Sequence, residues 1–222
     1  MKHTHQSLNR RKFLRHSALT TLGAGALSIV PLLDFAQSAP DPTINIIGPR
    51  EGYSPQIGIL VSQLDWVRAS VISATKGLTQ PELDFLVDAQ SNTIGALLFH
   101  LAATDAVYQD LTFYNLNDFS PANKKKFGVA MELGDEARKQ IKGNDLNFYI
   151  SLMTEVREST LKEFKNRDDK WFQTVDPEFF GGPTNNFCKW FHVCEHEANH
   201  RGQMTVIRKR LPGTHQKEGG MS

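Results

Sequence analysis

His192-Val193-Cys194-Glu195-His196-Glu197-Ala198-Asn199-His200-Arg201-Gly202-Gln203 places three histidines at intervals of four inside a segment that reads as helix. A helix turns about 100° per residue, so side chains at i and i+4 lie one above the other on one face. Imidazole nitrogens stacked in this way can grip one divalent metal ion. The helical pattern runs from about Asn186 to Leu211, with Arg208-Lys209-Arg210 in its last turn and Pro212-Gly213 as its stop. A helix that carries ligands on one face needs other helices to face it.

Three further helical patterns supply them. The first opens at Ser54-Pro55, a cap with proline at the first helical position. Ile57, Leu60, Leu64, Val67 and Val71 recur along it at helical spacing, and Gly77 closes it. The second follows Ser91-Asn92 and runs through Ile94, Leu97, Leu98, Leu101 and Val107 to about Phe113. It is apolar nearly all round, which implies deep burial. The third is capped by Asp145 and carries Tyr149, Leu152, Met153, Val156 and Phe164. Between the second and third lies a long connection, 116–143, in which Asp135 is expected to cap one short extra helix. Segment 77–91 reads as a loop, and 171–183, rich in aromatics and ending in Gly181-Gly182-Pro183, as an ordered loop. The fold class expected is all-α: a four-helix bundle with one long crossover.

The first 39 residues stand apart. Asn9-Arg10-Arg11-Lys12-Phe13-Leu14-Arg15 resembles the twin-arginine export motif, and a mildly apolar stretch from Ala18 to Leu33 follows it. Phe35-Ala36-Gln37-Ser38-Ala39 ends in small residues suited to cleavage. A membrane anchor is the competing reading, but 16 residues interrupted by Pro31 fall short of the roughly 20 that a spanning helix needs. The expected organisation is a signal peptide over 1–39, a bundle over 40–213 and a tail over 214–222, with the mature protein periplasmic or extracytoplasmic. Of 25 Lys and Arg and 24 Asp and Glu, the signal takes five and one, leaving 20 against 23, a balance near −3. That balance excludes an electrostatic case for nucleic-acid binding. No apolar run of membrane length is expected after residue 40, so stable membrane insertion is not expected once the signal is removed. Cys188 and Cys194, six apart on one helix, point to divergent faces and should not pair.

After residue 39 the histidines are His100, His192, His196, His200 and His215. His100 stands in the apolar run Leu97-Leu98-Phe99-His100-Leu101-Ala102-Ala103. Such a histidine is by default a hydrogen-bonded core residue. Three more on a second helix raise the weight of ligation, because facing helices of a bundle are where inward ligands are built. The same letters, His196-Glu197-Ala198-Asn199-His200, also satisfy the H-E-x-x-H pattern of zinc proteases, with Glu197 as general base. Those enzymes take a third ligand downstream, where only His215 or Glu218 in a glycine-rich tail could serve.

The chain resembles the DinB/YfiT-like family of metal-dependent proteins. Asn92-Thr93-Ile94-Gly95-Ala96-Leu97-Leu98-Phe99-His100 is similar to that family's second-helix pattern, and His192 through Gln203 matches its last-helix motif, over most of residues 54–212. The resemblance implies helices in up-down-down-up order and a metal held by His100, His196 and His200. Three imidazoles make three legs of a tetrahedron and leave the fourth open to water or substrate, as in catalytic rather than structural sites. Zn²⁺ and Ni²⁺ both suit imidazole. Neutral ligands leave the ion its full charge, so a bound water or thiol should lose its proton near neutral pH.

His192 is then a pocket-lining residue or reserve ligand, and Gln203 is placed to orient His200. Gly202 is expected to let the last helix approach a neighbour closely. Arg201 reads as readily as a surface charge as a functional one. Glu197, at the edge of the stripe, would touch metal-bound water or face solvent. Relatives of the family include transferases that add a low-molecular-weight thiol to an electrophile; hydrolysis by metal hydroxide stays open, since free thiols are scarce outside the cytoplasm. The partner expected is a small-molecule substrate, a thiol among the candidates, with a homodimer left open. The alternatives are a non-enzymatic metal-binding or structural protein and the zinc protease. DNA repair finds no support in the charge balance.

Overall fold

A computed structural model describes residues 42–213; the export motif, its apolar stretch, His215 and Glu218 lie outside the described residues. Eight helices account for most of the described chain: α1 Pro55–Thr75, α2 Gln80–Leu83, α3 Ile94–Phe113, α4 Pro121–Glu132, α5 Gly134–Gln140, α6 Leu146–Phe164, α7 Asp169–Phe172 and α8 Asn186–Arg208. Two short strands, β1 Val175–Asp176 and β2 Thr184–Asn185, pair antiparallel within the aromatic loop before α8. The all-α reading holds.

The caps explain the boundaries. The Thr93 hydroxyl accepts the Ala96 N–H at 3.0 Å, Asp145 that of Phe148 at 2.8 Å and Asn185 that of Cys188 at 2.8 Å. At α1 the cap departs from expectation. Ser54 donates its hydroxyl to Asp169 of α7 at 2.6 Å, and that carboxylate accepts the Gln56 N–H at 3.0 Å. The start of α1 is therefore capped from across the bundle. Gly77, at φ +76°, ends the run after α1 in a conformation that favours glycine.

The crossover holds more helix than expected. α4 is announced by Ser120-Pro121, the same signal as Ser54-Pro55, with the Ser120 hydroxyl accepting from Asn123. Asp135 does not cap α5; it lies inside the first turn and pairs with Arg138, while Leu133, at φ +55°, forms the corner. The expectation that no apolar run of membrane length follows residue 40 also needs correction. α1 is long and apolar enough to cross a membrane, but half of it is buried in the bundle, as in a core helix of a globular protein.

Helix directions follow from who meets whom. Arg68, Ser70 and Ala74 of α1 meet Glu197, Arg201 and Arg208 of α8, so these two run parallel. Gly95, Asp105 and Gln109 of α3 meet Tyr149, Arg157 and Thr160 of α6, again parallel. His100, Tyr108 and Thr112 of α3 meet His196, His192 and Trp190 of α8 in reverse order. The order is up-down-down-up, and two parallel neighbours, α3 and α6, require the long crossover between them.

The core has two apolar clusters. One gathers Val71, Leu97, Leu101, Tyr149, Met153 and Met204; the other gathers Ile57, Leu64, Phe113, Phe164, Phe172 and Trp190. Between them lies a buried tetrad, Arg68, Asp105, Arg157 and Glu197, with one residue from each bundle helix. Two positive and two negative charges cancel there, which is the condition for burying them at all.

Candidate metal centre

His100 projects from α3 and is buried, with 7% of its surface exposed. Its Nδ1 lies 2.9 Å from the carbonyl oxygen of Ala130 in α4. A carbonyl can only accept, so Nδ1 carries the proton and Nε2 keeps a bare lone pair. On α8, the Nδ1 of His200 lies 3.0 Å from Oε1 of Gln203, which fixes the same tautomer. Gln203 therefore orients His200 as the sequence placed it to do.

The Nε2 atoms converge. His196 Nε2 is 2.8 Å from that of His100 and 3.0 Å from that of His200, and the three side chains offer donor atoms all within 4.8 Å of one another. Nitrogens bound at about 2.0–2.1 Å around a tetrahedral ion stand roughly 3.3 Å apart, so a shift of a few tenths of an ångström would seat one. Burial holds the imidazoles neutral. It pushes His100 down to about 4, with the Ala130 carbonyl pulling back only in part. Burial and the neighbouring imidazoles push His196 down to about 3, and burial lowers His200 as well. Three neutral donors at one point, two with their other nitrogen already engaged, fit a divalent metal ion.

The other residues of the motif fall elsewhere. His192 is exposed and does not join the triad; its Nδ1 is hydrogen-bonded to the hydroxyl of buried Tyr108 at 2.9 Å, and its ring centre is 5.1 Å from that of His196. Burial raises the Tyr108 phenol to about 12, so it stays protonated at neutral pH. Glu197 neither faces solvent nor approaches the triad. Its Oε1 accepts from Arg68 at 2.6 Å and Arg157 at 2.5 Å, and its Oε2 accepts from Arg68 at 3.1 Å. Asp105 completes the network, 2.8 Å from Arg157 and 3.3 Å from Arg68. Glu197 is only one residue from His196, but that step turns it about 100° around the helix, into the core. The zinc-protease reading thereby loses its general base, and the third imidazole of the cluster comes from upstream, His100.

Gly202 does not mediate a close approach, since a Cβ there would meet nothing within 4 Å. Gly95 of α3 and Gly58 of α1 do: a Cβ would fall 2.7 Å from the Tyr149 hydroxyl at the first and 2.5 Å from the Arg50 backbone nitrogen at the second. Arg201 donates to Ser70 at 3.0 Å and lies over Trp66, clipping α8 to α1. Cys188 and Cys194 are both free thiols, as their spacing implied. Three features escaped the sequence: the Ala130 carbonyl, the Tyr108–His192 contact and the tetrad. The first was hidden with α4, although Ser120-Pro121 could have disclosed it.

A sequence model of the mycothiol-S-transferase family matches residues 59–213, well over half of the chain and every element of the centre. The chain belongs to the mycothiol-S-transferase family. Membership agrees with the DinB/YfiT-like fold and, together with the histidine triad, points to a divalent metal ion. Among solved structures, the chain is similar to a conserved protein from Enterococcus faecalis, with a TM-score of 0.56 and 13% identity over 70% of this chain and 96% of that one. That likeness speaks for the fold of the mycothiol-S-transferase domain alone. No curated protein matches the chain.

Proposed function

We propose that this protein is an exported metal-dependent transferase in which His100, His196 and His200 hold one Zn²⁺ or Ni²⁺ ion and a small thiol is added to an electrophile. The observation that carries this reading is the convergence of three Nε2 atoms, 2.8 and 3.0 Å from one another along the chain of contacts, on one point. When bound, a divalent ion with three neutral ligands lowers the pKa of a thiol so that thiolate, the competent nucleophile, exists at neutral pH. The chain's own part is to keep that point ready. Ala130 and Gln203 hold the protons of His100 and His200 on Nδ1, so both Nε2 lone pairs face inward. Tyr108 and His192 set a hydrogen-bonded polar edge one turn of α8 away. The family supports thiol as the substrate class. The twin-arginine-like motif supports export, and it also keeps metal-assisted hydrolysis open as a second chemistry, because thiols are scarce outside the cytoplasm.

Elemental analysis of protein from metal-supplemented cells tests the centre. The native chain should carry about one ion per molecule, and His100→Ala and His200→Ala should carry almost none. Metal-loaded protein should then consume mycothiol in the presence of an alkylating electrophile. Metal without thiol consumption would favour hydrolysis, and a chain with no metal would remove both.

A further inference from the structure

One side chain joins the histidine triad to a cavity at the C-terminal end of α8. The cavity measures about 550 Å³, within the range of roughly 300–1,000 Å³ usual for small-molecule sites. Gln203 lines it, and the same Gln203 accepts the Nδ1–H of His200 at 3.0 Å. Ligation through His200 Nε2 requires the proton on Nδ1, so Gln203 must offer that ring its oxygen. The amide nitrogen of Gln203 is thereby turned away from His200, and no group among the described residues accepts from it. Gly202, next to it in the last-helix motif, has no packing role, since a Cβ there would meet nothing within 4 Å. Glycine is a poor helix former, and inside α8 its effect is to keep the cavity wall low beside Gln203.

We propose that this cavity binds a small organic carboxylate with an apolar body, and that Gln203 couples its occupancy to the metal centre. The proposal rests on the three-histidine reading of the centre and gives that centre a second ligand at its flank. Val87, Leu97, Val206 and Ile207 supply the apolar wall. Arg210 is the only charged side chain on the described lining, and it makes no ion pair among the described residues. Asp88 is close to the lining residue Ser91, but its carboxylate is taken up by the N–H groups of Gln90 and Ser91 at 2.9 and 2.8 Å. An anionic head therefore finds a guanidinium and an amide donor, with no acid on the lining to repel it.

The coupling has a definite sign. A carboxylate oxygen that accepts from the Gln203 amide nitrogen polarises the amide and makes its Oε1 a stronger acceptor. The bond from His200 Nδ1 tightens, and Nε2 becomes a more electron-rich metal ligand. Carboxylate and metal then strengthen one another, by the same factor in either direction.

The test titrates para-fluorobenzoate and its neutral isostere para-fluorobenzamide into the full chain, followed by fluorine NMR. The acid should bind at least about fivefold tighter than the amide. Gly202→Leu fills the cavity from a helical position that tolerates leucine and should weaken the acid about tenfold or more without lowering Tm. Should that variant fold poorly, Arg210→Gln, at an exposed position, should weaken the acid several-fold while sparing the amide. Saturating para-fluorobenzoate should tighten metal binding about fivefold in competition with a chelator, and Gly202→Leu should abolish that gain. A gain of equal size in Gly202→Leu would place the carboxylate on the ion itself and overturn the proposal. Equal affinities for acid and amide, absent binding, or probe binding without effect on metal affinity would overturn it too. Metal uptake without the probe reads the three histidines separately: absent metal counts against the centre, absent probe binding against the cavity.

Discussion

His100, His196 and His200 owe their readiness to second contacts as much as to their own spacing. Gln203 holds the His200 tautomer from one turn away. Gln203→Ala frees that ring and should weaken metal binding about 10- to 100-fold with little change in Tm, as measured by competition with a chelator. The depressed basicity of the imidazoles fixes a sign for pH. In the metal-free protein His100 titrates near 4 and His196 near 3, whereas in the unfolded chain both titrate at their ordinary value of 6.5. The unfolded state therefore takes up protons first as pH falls. Stability should be flat above about pH 7 and decline below about 6.5 by up to about 1.4 kcal/mol per pH unit per imidazole, levelling only as the folded pKa values are reached. Urea midpoints between pH 7.5 and 4 would show this, and midpoints that rise toward acid would refute it. Glu197 has a different role. Glu197→Ala leaves two buried guanidinium groups to share one carboxylate, Asp105, and should cost about 3–5 kcal/mol, seen as a large fall in Tm. A protease base at this position would instead give a stable, inactive variant.

At the scale of elements, α3 and α6 pack closely, and Gly95 shows why they can. Tyr149 lies across the position where a side chain would stand. Gly95→Ala gains helix propensity of about 1 kcal/mol, but it forces a buried ring with no exposed surface to move, so a net loss of about 1–3 kcal/mol is expected by thermal denaturation. The four bundle helices were legible because caps and periodicity are local. Thr93 before α3, Asp145 before α6 and the apolar stripe of α1 all act within a turn or two of their own sequence. α4 was legible in principle through Ser120-Pro121 but carries a polar run, Asn123-Lys124-Lys125-Lys126, that masks its one buried face. The Ser54 cap misled for the opposite reason. Its partner, Asp169, is over a hundred residues away and no local pattern announces it.

For the molecule as a whole, the proposed export makes its own prediction. Arg10→Lys together with Arg11→Lys should leave the protein in the cytoplasm, and the native chain recovered outside it should begin near residue 39 or 40 by mass spectrometry. An unprocessed chain in the cytoplasm in both cases would refute export and would remove the objection that thiols are scarce around the site. Residues 68, 105, 157 and 197 are spread over most of the bundle, yet they meet in one neutral tetrad between its two apolar clusters.

The amino-acid sequence by itself determined the four bundle helices, their buried faces, the stacking of His196 and His200 and the unpaired cysteines, because each depends on a 3.6-residue repeat that acts over a few residues. The tertiary structure alone decided that Glu197 turns to two arginines instead of to the metal point, that Ala130 holds His100 and that Gly95 rather than Gly202 marks the close approach. Those outcomes depend on distance in space between segments far apart in the chain, which a local repeat does not encode.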